Sequence, residues 1–261
     1  MLLHLTAVQM HKTMSSGRNK PVVFGCIDAQ GNMAGDYVVK LSGAMETRAR
    51  GPASELIASC LAGHFGLQCP KPAVVQLHPD LVKWLVAQRS DLAPIIRAST
   101  GFNFGTEFLT DGAIWPPGRP LPETMFLTAT HIFAFDALID NDDRRRANSN
   151  VLVRGDDIFV IDHESAFAFL YLVHTRVAPW EVRQRTSLRE HVFFYQLRKQ
   201  PIDLTMFTAR LAGLGDVELD QMIQQMPTEW RHEDLGRVSA HLMAVRDHAA
   251  EFERQVLEIL A

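Results

Sequence analysis

Three polar residues near the middle of the chain have the types and the spacing of a site for metal-dependent phosphoryl transfer. Asn148 follows Asp143 by five positions, and Asp162 follows beyond a short apolar segment. In such chemistry one carboxylate orients the attacking hydroxyl, an Asn about five residues later binds metal, and a second carboxylate places the metal on the phosphates. The pattern predicts Asp143 as the catalytic base, and Asn148 and Asp162 as metal ligands.

The segment between the two acids predicts a β-hairpin. Residues 151–153 and 158–161 are apolar and strand-like, and the Gly/Asp-rich residues 154–157 form a turn between them. A hairpin that short fixes the separation of the two acids. Asn150 stands directly before the first strand, so Asn148 and Asn150 both remain candidates for the metal-binding Asn.

A lysine and a glutamate in the first part of the chain predict an ion pair. Lys40 lies in the apolar strand 37–41, where a lysine is unusual without a partner. The segment 53–65 has apolar residues at helical spacing and carries Glu55 in its first turn. An edge-strand lysine in solvent, or an acid favoured at a helix start, would explain each residue singly. Their joint occurrence favours an ion pair between the two residues, in which Lys40 also contacts the phosphates of a nucleotide.

A polar loop over residues 15–21 separates the first two predicted strands. Ser15, Ser16, Gly17 and Lys20 offer backbone and side-chain donors, so we predict them as phosphate contacts. The loop lacks a G-x-G-x-x-G pattern, and an ordinary hairpin loop is the competing interpretation.

The composition indicates a globular protein and excludes several classes. The chain has 261 residues, of which 47% are hydrophobic and 21% charged, and its net charge of −4 gives no general nucleic-acid footprint. Three cysteines without C-x-x-C spacing argue against a disulfide framework. The start MLLHLTAVQMHKT lacks a basic leader, and no apolar run is long enough to span a bilayer. We therefore expect a cytoplasmic protein without a membrane partner.

The second half of the chain reads as mostly helical. The segment 122–139 is apolar on more than one face, which predicts a buried helix leading into the Asp143 region. Residues 187–199 predict one short helix, and residues 234–260 predict one long closing helix, with a dimer seam as the alternative. The triplet Arg144-Arg145-Arg146 is interpreted as a solvated face.

The stretch FDALIDNDDRRRANSNVLV followed by IFVIDHESAF resembles the HipA-like kinases, a branch of the protein kinase superfamily. Asp143 is preceded by Asn-Asp and Asp162 is followed by His-Glu, where protein kinases carry H-R-D and D-F-G. The resemblance covers roughly residues 1–170. It implies an α+β, two-lobed protein-kinase-like fold, with a small mixed β-sheet N-lobe over 1–115 and a mostly helical C-lobe over 116–261 that contains the catalytic loop 139–167.

The same resemblance implies a set of ligands and partners. ATP and Mg²⁺ are the expected cofactors, and the expected reaction transfers the γ-phosphate to a Ser or Thr of a protein substrate. By position, Glu107, Phe108 and Leu109 would contact the adenine, and Ser15 or Ser16 would be the kinase's own acceptor. A small antitoxin of the repressor type stays open as a partner, although the chain begins at the expected small lobe without an additional segment for it.

Two other functions compete with this one. A catalytically weak, kinase-shaped nucleotide-binding or scaffold protein would explain the missing glycine pattern and His163. A metal-dependent hydrolase would use Asp143, Asp162 and His163, but it would leave Lys40 and Glu55 without a role.

Overall fold

The computed structural model describes residues 2–14, 21–45, 47, 49–172 and 177–261, and these form a mixed α and β structure. The chain divides into two compact units. The first unit comprises Met1–Leu56, Pro70–Thr110 and Gln224–His232, and the second comprises Ile57–Cys69, Asp111–Ile223 and Glu233–Ala261. The boundary after residue 115 stays a prediction.

The first unit is built on a closed five-stranded barrel. The strands are β1 (Leu3–Thr13), β2 (Val22–Ile27), β3 (Met33–Lys40), β4 (Pro72–Leu77) and β5 (Gly101–Glu107). They follow one another around the barrel in the order β1-β2-β3-β5-β4. The first three strands pair in antiparallel fashion, β1 with β2 and β2 with β3. The closing pair is parallel and joins Leu3 of β1 to Ala73 of β4, a long-range contact that no local pattern indicates.

Alternating apolar side chains fill the barrel. Val22, Phe24 and Cys26 of β2 lie in its core together with Val39 of β3. Because successive side chains of a strand point to opposite faces, Lys40 lies on the face of β3 opposite to the core. The barrel thereby presents the lysine outside its apolar interior.

Helices cover the barrel within the first unit. The helices α2 (Pro79–Gln88) and α3 (Ala93–Ala98) contribute Val82, Leu85 and Ile96 to the same apolar core. The helix α1 (Arg50–His64) begins three residues earlier than predicted, and its residues through Leu56 belong to this unit.

The second unit contains a three-stranded sheet and the remaining helices. The strands are β6 (Ala113–Ile114), β7 (Val151–Arg154) and β8 (Asp157–Val160), in the order β6-β7-β8. The predicted hairpin between the two acids is confirmed, since Arg154 pairs with Asp157 across a two-residue turn in which Gly155 has φ +61°. A positive φ suits glycine at such a turn.

The helix α4 (Phe126–Leu138) leads into the Asp143 region, as the apolar pattern predicted. Every residue from Ile132 to Leu138 is buried. A helix that is apolar around its whole circumference requires packing on all sides. It therefore gives the following loop a fixed starting point.

Two helix predictions in the second unit are wrong. Residues 187–199 form a 3₁₀ turn and the short helix α5 (Phe194–Leu197), because Val192 donates its N–H to the carbonyl of Arg144 at 3.1 Å instead of continuing a helix. The closing segment is two helices, α8 (Leu235–Asp247) and α9 (Ala249–Leu260). They separate at His248, whose ring stacks on Trp180 with 3.5 Å between centroids.

Two further helices complete the second half of the chain: α6 (Thr205–Ala212) and α7 (Asp216–Gln225). In the part of the chain that the structure describes, none of the helices has both the length and the apolar character that a bilayer crossing needs.

Candidate active site

The predicted ion pair between Lys40 and Glu55 is present in the first unit. Nζ of Lys40, at the end of β3, donates to Oε1 of Glu55 on α1. The Glu55 side chain is 1% exposed and that of Lys40 is 12% exposed. A carboxylate buried to that extent is stable as a charged group only with a cationic or hydrogen-bonding partner.

The position of Glu55 within α1 differs from the prediction. Because the helix begins at Arg50, Glu55 lies in its second turn, and the first turn contains no acidic residue. The helix dipole favours an anion only within the first turn. Attraction to a helix N-terminus therefore does not explain Glu55, whereas the contact with Lys40 gives its carboxylate a cationic partner.

The predicted phosphate contacts Ser15, Ser16, Gly17 and Lys20 lie outside the described residues. The two ends of their loop are described, and the N–H of Met14 donates to the carbonyl of Pro21 at 2.7 Å.

The predicted adenine contacts Glu107, Phe108 and Leu109 follow the end of β5. The N–H of Glu107 donates to the backbone carbonyl of Lys71 at 3.0 Å, and the N–H of Phe108 donates to the backbone carbonyl of Asp36 at 2.8 Å. Of the three amides, only that of Leu109 has no backbone acceptor within the described ranges. A ligand that needs a donor here would find it at Leu109.

In the second unit, two asparagines bind the carboxylate of Asp143. Nδ2 of Asn148 donates to Oδ2 of Asp143 at 3.0 Å, and Nδ2 of Asn150 donates to the same oxygen at 3.1 Å. The backbone N–H of Asp143 donates to Oδ1 of Asn141 at 3.3 Å. These contacts fix one carboxylate oxygen and leave Oδ1 of Asp143 with no hydrogen bond from any described residue.

A buried ionic cluster lies directly beside this carboxylate. Nε of Arg144 donates to Oδ2 of Asp136 at 2.5 Å, and both side chains are 0% exposed. Asn141 donates to the other Asp136 oxygen at 2.8 Å. Nε2 of His191 lies 3.0 Å from Oδ2 of Asp136, while Nδ1 accepts the N–H of Phe193 at 3.2 Å. Nε2 therefore carries the ring proton and donates to Asp136.

The charges in this cluster follow from its contacts. Burial alone would raise the pKa of the Asp136 carboxyl, but the Arg144 guanidinium and the hydrogen bond from His191 lower it to about 2. Burial lowers the pKa of His191, even though Asp136 opposes that shift. The cluster consequently consists of one carboxylate, one guanidinium and a neutral imidazole.

Arg144 also connects the Asp143 loop to the end of the hairpin. Its Nη1 donates to the carbonyl of Asn150 and, at 3.1 Å, to that of Ile161. The N–H of Ile161 donates to the Asn150 carbonyl at 3.1 Å. Asn150 is a partner of Asp143, and Ile161 immediately precedes Asp162. One buried guanidinium thus bonds to the backbone next to both acids.

Asp162 follows β8 with a left-handed backbone, φ +59°. A carboxylate oxygen of Asp162 and one of Glu164 lie within 4.8 Å of each other. Further along, the N–H of Phe167 donates to the Ile139 carbonyl at 2.6 Å, which returns the chain to the end of α4. Asp162 and Glu164 together offer hard oxygen donors close to one another.

The loops around the two acids concentrate unusual backbone geometry. Four non-glycine residues there have positive φ values: Asp140 (+50°), Asn150 (+46°), Asp162 (+59°) and Phe167 (+61°). Such conformations cost about 1–3 kcal/mol each and persist only where surrounding contacts impose them. The hydrogen bonds of Arg144 and Phe167 supply such contacts.

The donor set suits a hard divalent cation. Mg²⁺ prefers carboxylate and carbonyl-type oxygens, which Asp162 and Glu164 provide within 4.8 Å. Asn148 and Asn150 use their nitrogens on Asp143, so each retains its Oδ1 as a ligand atom. His163 is 1% exposed with its ring against Phe135, so the hydrolase role suggested for it is disfavoured.

Sequence reasoning missed three residues of this region. Arg144 was assigned to a solvated face, which is wrong for this member of the triplet because its side chain is 0% exposed. Asp136 lies inside the segment 122–139, which was predicted only as a buried helix, with no role for the Asp136 carboxylate. Glu164 was noted only as a departure from D-F-G, although an acid two positions after Asp162 is itself the signal that indicates a second oxygen donor.

Comparison of the chain with known protein families and solved structures identifies the family to which it belongs. The family model of HipA-like kinases matches residues 7–256 of the chain. Among solved structures, the chain is similar to CtkA, a proinflammatory kinase of Helicobacter pylori, with a TM-score of 0.56 and 11% identity over 100% of this chain and 99% of that one. This likeness shows a shared fold. No curated protein matches the chain in sequence. Because the family model spans nearly the whole chain, the protein belongs to the HipA-like kinase family.

Proposed function

We propose that the protein is an ATP- and Mg²⁺-dependent kinase that transfers the γ-phosphate to a Ser or Thr hydroxyl of a protein substrate. Membership of the HipA-like kinase family makes it a kinase-like protein. The observation that carries the finer proposal is the environment of Asp143, in which two amides bind Oδ2 and leave Oδ1 for a hydroxyl proton. A positioned carboxylate with one open oxygen is what general-base assistance requires.

The residues of the first unit would bind the nucleotide. Lys40 would donate to the phosphates, and Glu55 would keep its ammonium group in place. Leu109 would donate its N–H to the adenine, while Glu107 and Phe108 would supply carbonyls. The loop residues Ser15, Ser16, Gly17 and Lys20 are proposed as additional phosphate donors.

The residues of the second unit would carry out the transfer. Asp143 would orient the acceptor hydroxyl, whose oxygen attacks the γ-phosphorus while the bond to the β,γ-bridging oxygen breaks. The hydroxyl proton would pass to Asp143. Asp162, Glu164 and the Oδ1 of Asn148 or Asn150 would bind Mg²⁺, which neutralises negative charge on the phosphate oxygens when it is bound.

This assignment implies a division of roles between the two units. The barrel unit would be the small, nucleotide-binding lobe of a kinase, and the helical unit would be its large lobe. The content of each unit supports this proposal, because the lysine and glutamate pair belongs to the barrel unit and both catalytic acids belong to the helical unit.

Two substitutions separate the proposed roles of the acids. Asp162→Ala should weaken binding of Mg²⁺ and ATP and abolish transfer, because it removes a metal ligand. Asp143→Ala should leave that binding within a few-fold but lower turnover by on the order of 10²-fold or more, the scale for loss of a positioned base. The measurements are calorimetric titration with a non-hydrolysable ATP analogue and Mg²⁺, and phosphate transfer from labelled ATP in lysate.

Asp156→Ala is the matched control, since it removes an exposed carboxylate from the turn of the same hairpin and should change neither quantity. Equal loss of binding in the Asp143 and Asp162 variants would make both acids metal ligands and favour the hydrolase. Tight binding without any transfer by the unaltered protein would instead favour the kinase-shaped scaffold.

A further inference from the structure

The turn that follows Asp143 presents two arginines on a fixed backbone. The N–H of Arg145 donates to the Asp143 carbonyl at 2.9 Å. Arg145 and Asn148 exchange backbone hydrogen bonds in both directions, at 2.9 and 3.0 Å. The N–H of Arg146 donates to the Glu190 carbonyl at 3.3 Å. Both arginines therefore occupy defined places next to the proposed base.

The Arg145 guanidinium retains donors for a ligand. Its Nε donates to the Asp142 carbonyl at 2.5 Å, and the residue is exposed. Among the residues that the structure describes, no carboxylate forms an ion pair with it. Its two terminal nitrogens lie at the free end of a side chain whose inner end is already fixed, which lowers the entropy lost on binding.

The Arg146 guanidinium lies on an aromatic ring. It is 4.5 Å from the centroid of Tyr195, which is 56% exposed. The carboxylate of Glu190 is 3.8 Å away, and both side chains of that pair are more than half exposed. An exposed ion pair at this distance contributes little to stability, so another anion can readily replace Glu190 as the partner of Arg146. The ring orients the guanidinium without neutralising it.

We propose that Arg145 and Arg146 select acceptor segments with an acidic residue close to the phosphorylated Ser or Thr; this rests on the proposed function. An extended chain advances about 3.3–3.6 Å per residue. Because Arg145 and Arg146 follow Asp143 by two and three positions on a turn held by backbone hydrogen bonds, a segment with its hydroxyl at Asp143 would bring its nearest flanking residues toward the two arginines. A guanidinium binds a carboxylate through two parallel hydrogen bonds, so the favoured feature is an Asp or Glu.

Acidic peptide fits this surface better than nucleic acid does. Asp142, Asp143 and Glu190 lie among the arginines, and they would repel the continuous negative charge of a phosphodiester backbone. The chain as a whole carries a net charge of −4. A carboxylate on a short peptide can pair with one guanidinium and stay clear of the intervening acids, whereas nucleic-acid binding requires a broad basic patch.

The experiment compares Ser peptides that differ only at flanking positions, carrying Asp, Ala or Lys. The variants are Arg145→Gln, Arg146→Gln and the double substitution. Arg183→Gln is the matched control, because it removes the same charge from an arginine that is 60% exposed and contacts Glu258 at 3.2 Å. The readout is the ratio of kcat/KM for the Asp peptide to that for the Ala peptide, at two salt concentrations.

We expect the unaltered protein and the Arg183→Gln control to prefer the Asp peptide by about tenfold, the combined scale of two exposed ion pairs. The ratio should fall about threefold in each single variant and approach one in the double variant. It should also shrink at high salt, since exposed charges are screened. Arg145→Glu should shift the preference toward the Lys peptide.

A preference for Asp that survives the double substitution would overturn the proposal, and so would its absence from the unaltered protein. Competition by a short RNA as strong as that by the Asp peptide would also overturn it. A protein that binds Mg²⁺ and ATP but phosphorylates none of the peptides would contradict the assigned acceptor alone. A protein that fails to bind Mg²⁺ and ATP would contradict the proposed function itself.

Discussion

The two ionic clusters of this molecule are built in different ways. In the first unit, Lys40 contacts Glu55 across two elements, and the lysine keeps 12% of its side chain exposed. In the second unit, Asp136 and Arg144 are both 0% exposed. That cluster adds His191 and backbone carbonyls, so its charged atoms contact protein groups on several sides.

This difference indicates different uses of buried charge. A lysine with residual exposure and three donor hydrogens can bind a phosphate while it keeps its contact with Glu55. A fully buried guanidinium cannot reach a ligand, and its hydrogen bonds instead set the backbone around Asn150 and Ile161. We infer that the Lys40 pair serves the ligand, whereas the Asp136 cluster serves the geometry of the loop.

The largest expected effect comes from breaking the buried cluster. Arg144→Met should lower the free energy of unfolding by about 3–5 kcal/mol, because it leaves the Asp136 carboxylate buried without its cationic partner. The measurement is urea unfolding followed by circular dichroism. Arg146→Met is the control within the same triplet and should change the value by about 0.5 kcal/mol or less, since its side chain is exposed. A loss below about 1 kcal/mol for Arg144→Met would show that the cluster is not structural.

The next effect, about 2–3 kcal/mol, is a pH dependence at the end of α4. Nε2 of His241 donates to the Leu138 carbonyl at 2.8 Å, and burial lowers the pKa of His241 to about 4. Because the unfolded ring titrates near 6.5, the unfolded state takes up the proton first as pH falls. The contribution of the neutral His241 ring to the free energy of unfolding is therefore fully present above about pH 6.5 and is lost as the pH falls toward 4.

Unfolding free energies at pH 7 and pH 4.5 test this expectation. His241→Gln should remove much of the difference between the two pH values, because glutamine can donate to Leu138 but does not titrate. His78→Gln is the control, since the His78 side chain is 58% exposed. An unchanged difference in the His241 variant would assign the acid sensitivity to other groups.

The same contrast explains what the sequence could predict. The Lys40 and Glu55 pair follows from local patterns, since a lysine in an apolar strand precedes a glutamate in an apolar helix by fifteen positions. The hairpin between the acids was likewise predictable, because its strands and its turn residues are contiguous. HipA-like motifs around Asp143 and Asp162 indicated the family.

The buried cluster was not predictable for physical reasons. Arg144, Arg145 and Arg146 are identical letters, and only the packing of α4 and of the segment before α5 decides which of them is buried. His191 lies 55 positions from its partner Asp136, and the parallel pair that closes the barrel is also long-range. The break at His248 depends on Trp180, again distant in sequence. Local periodicity contains none of these contacts.

The smallest expected effect is the coupling between Lys40 and Glu55, which double-mutant cycles on the two ion pairs compare directly with the coupling in the buried cluster. Lys40→Met and Glu55→Gln, singly and together, should give a coupling energy in unfolding of about 1–2 kcal/mol, because the partly exposed lysine can regain water when Glu55 is replaced, whereas the buried carboxylate cannot when Lys40 is replaced. Asp136→Asn and Arg144→Met should give about 3 kcal/mol, since neither group can regain water.

The proposed use of the Lys40 pair adds a second quantity to the same set of variants. Glu55→Gln should lower turnover by about tenfold while the unfolding free energy changes little, because the amide keeps a contact with Lys40 but no longer attracts its charge. Arg144→Met should show the reverse order. Its loss of unfolding free energy should be larger than the activation free energy that corresponds to a tenfold fall in turnover. A Glu55→Gln variant with unaltered turnover would mean that the Lys40 pair, like the Asp136 cluster, serves only the fold, and coupling energies of equal size would remove the contrast in burial between the two pairs.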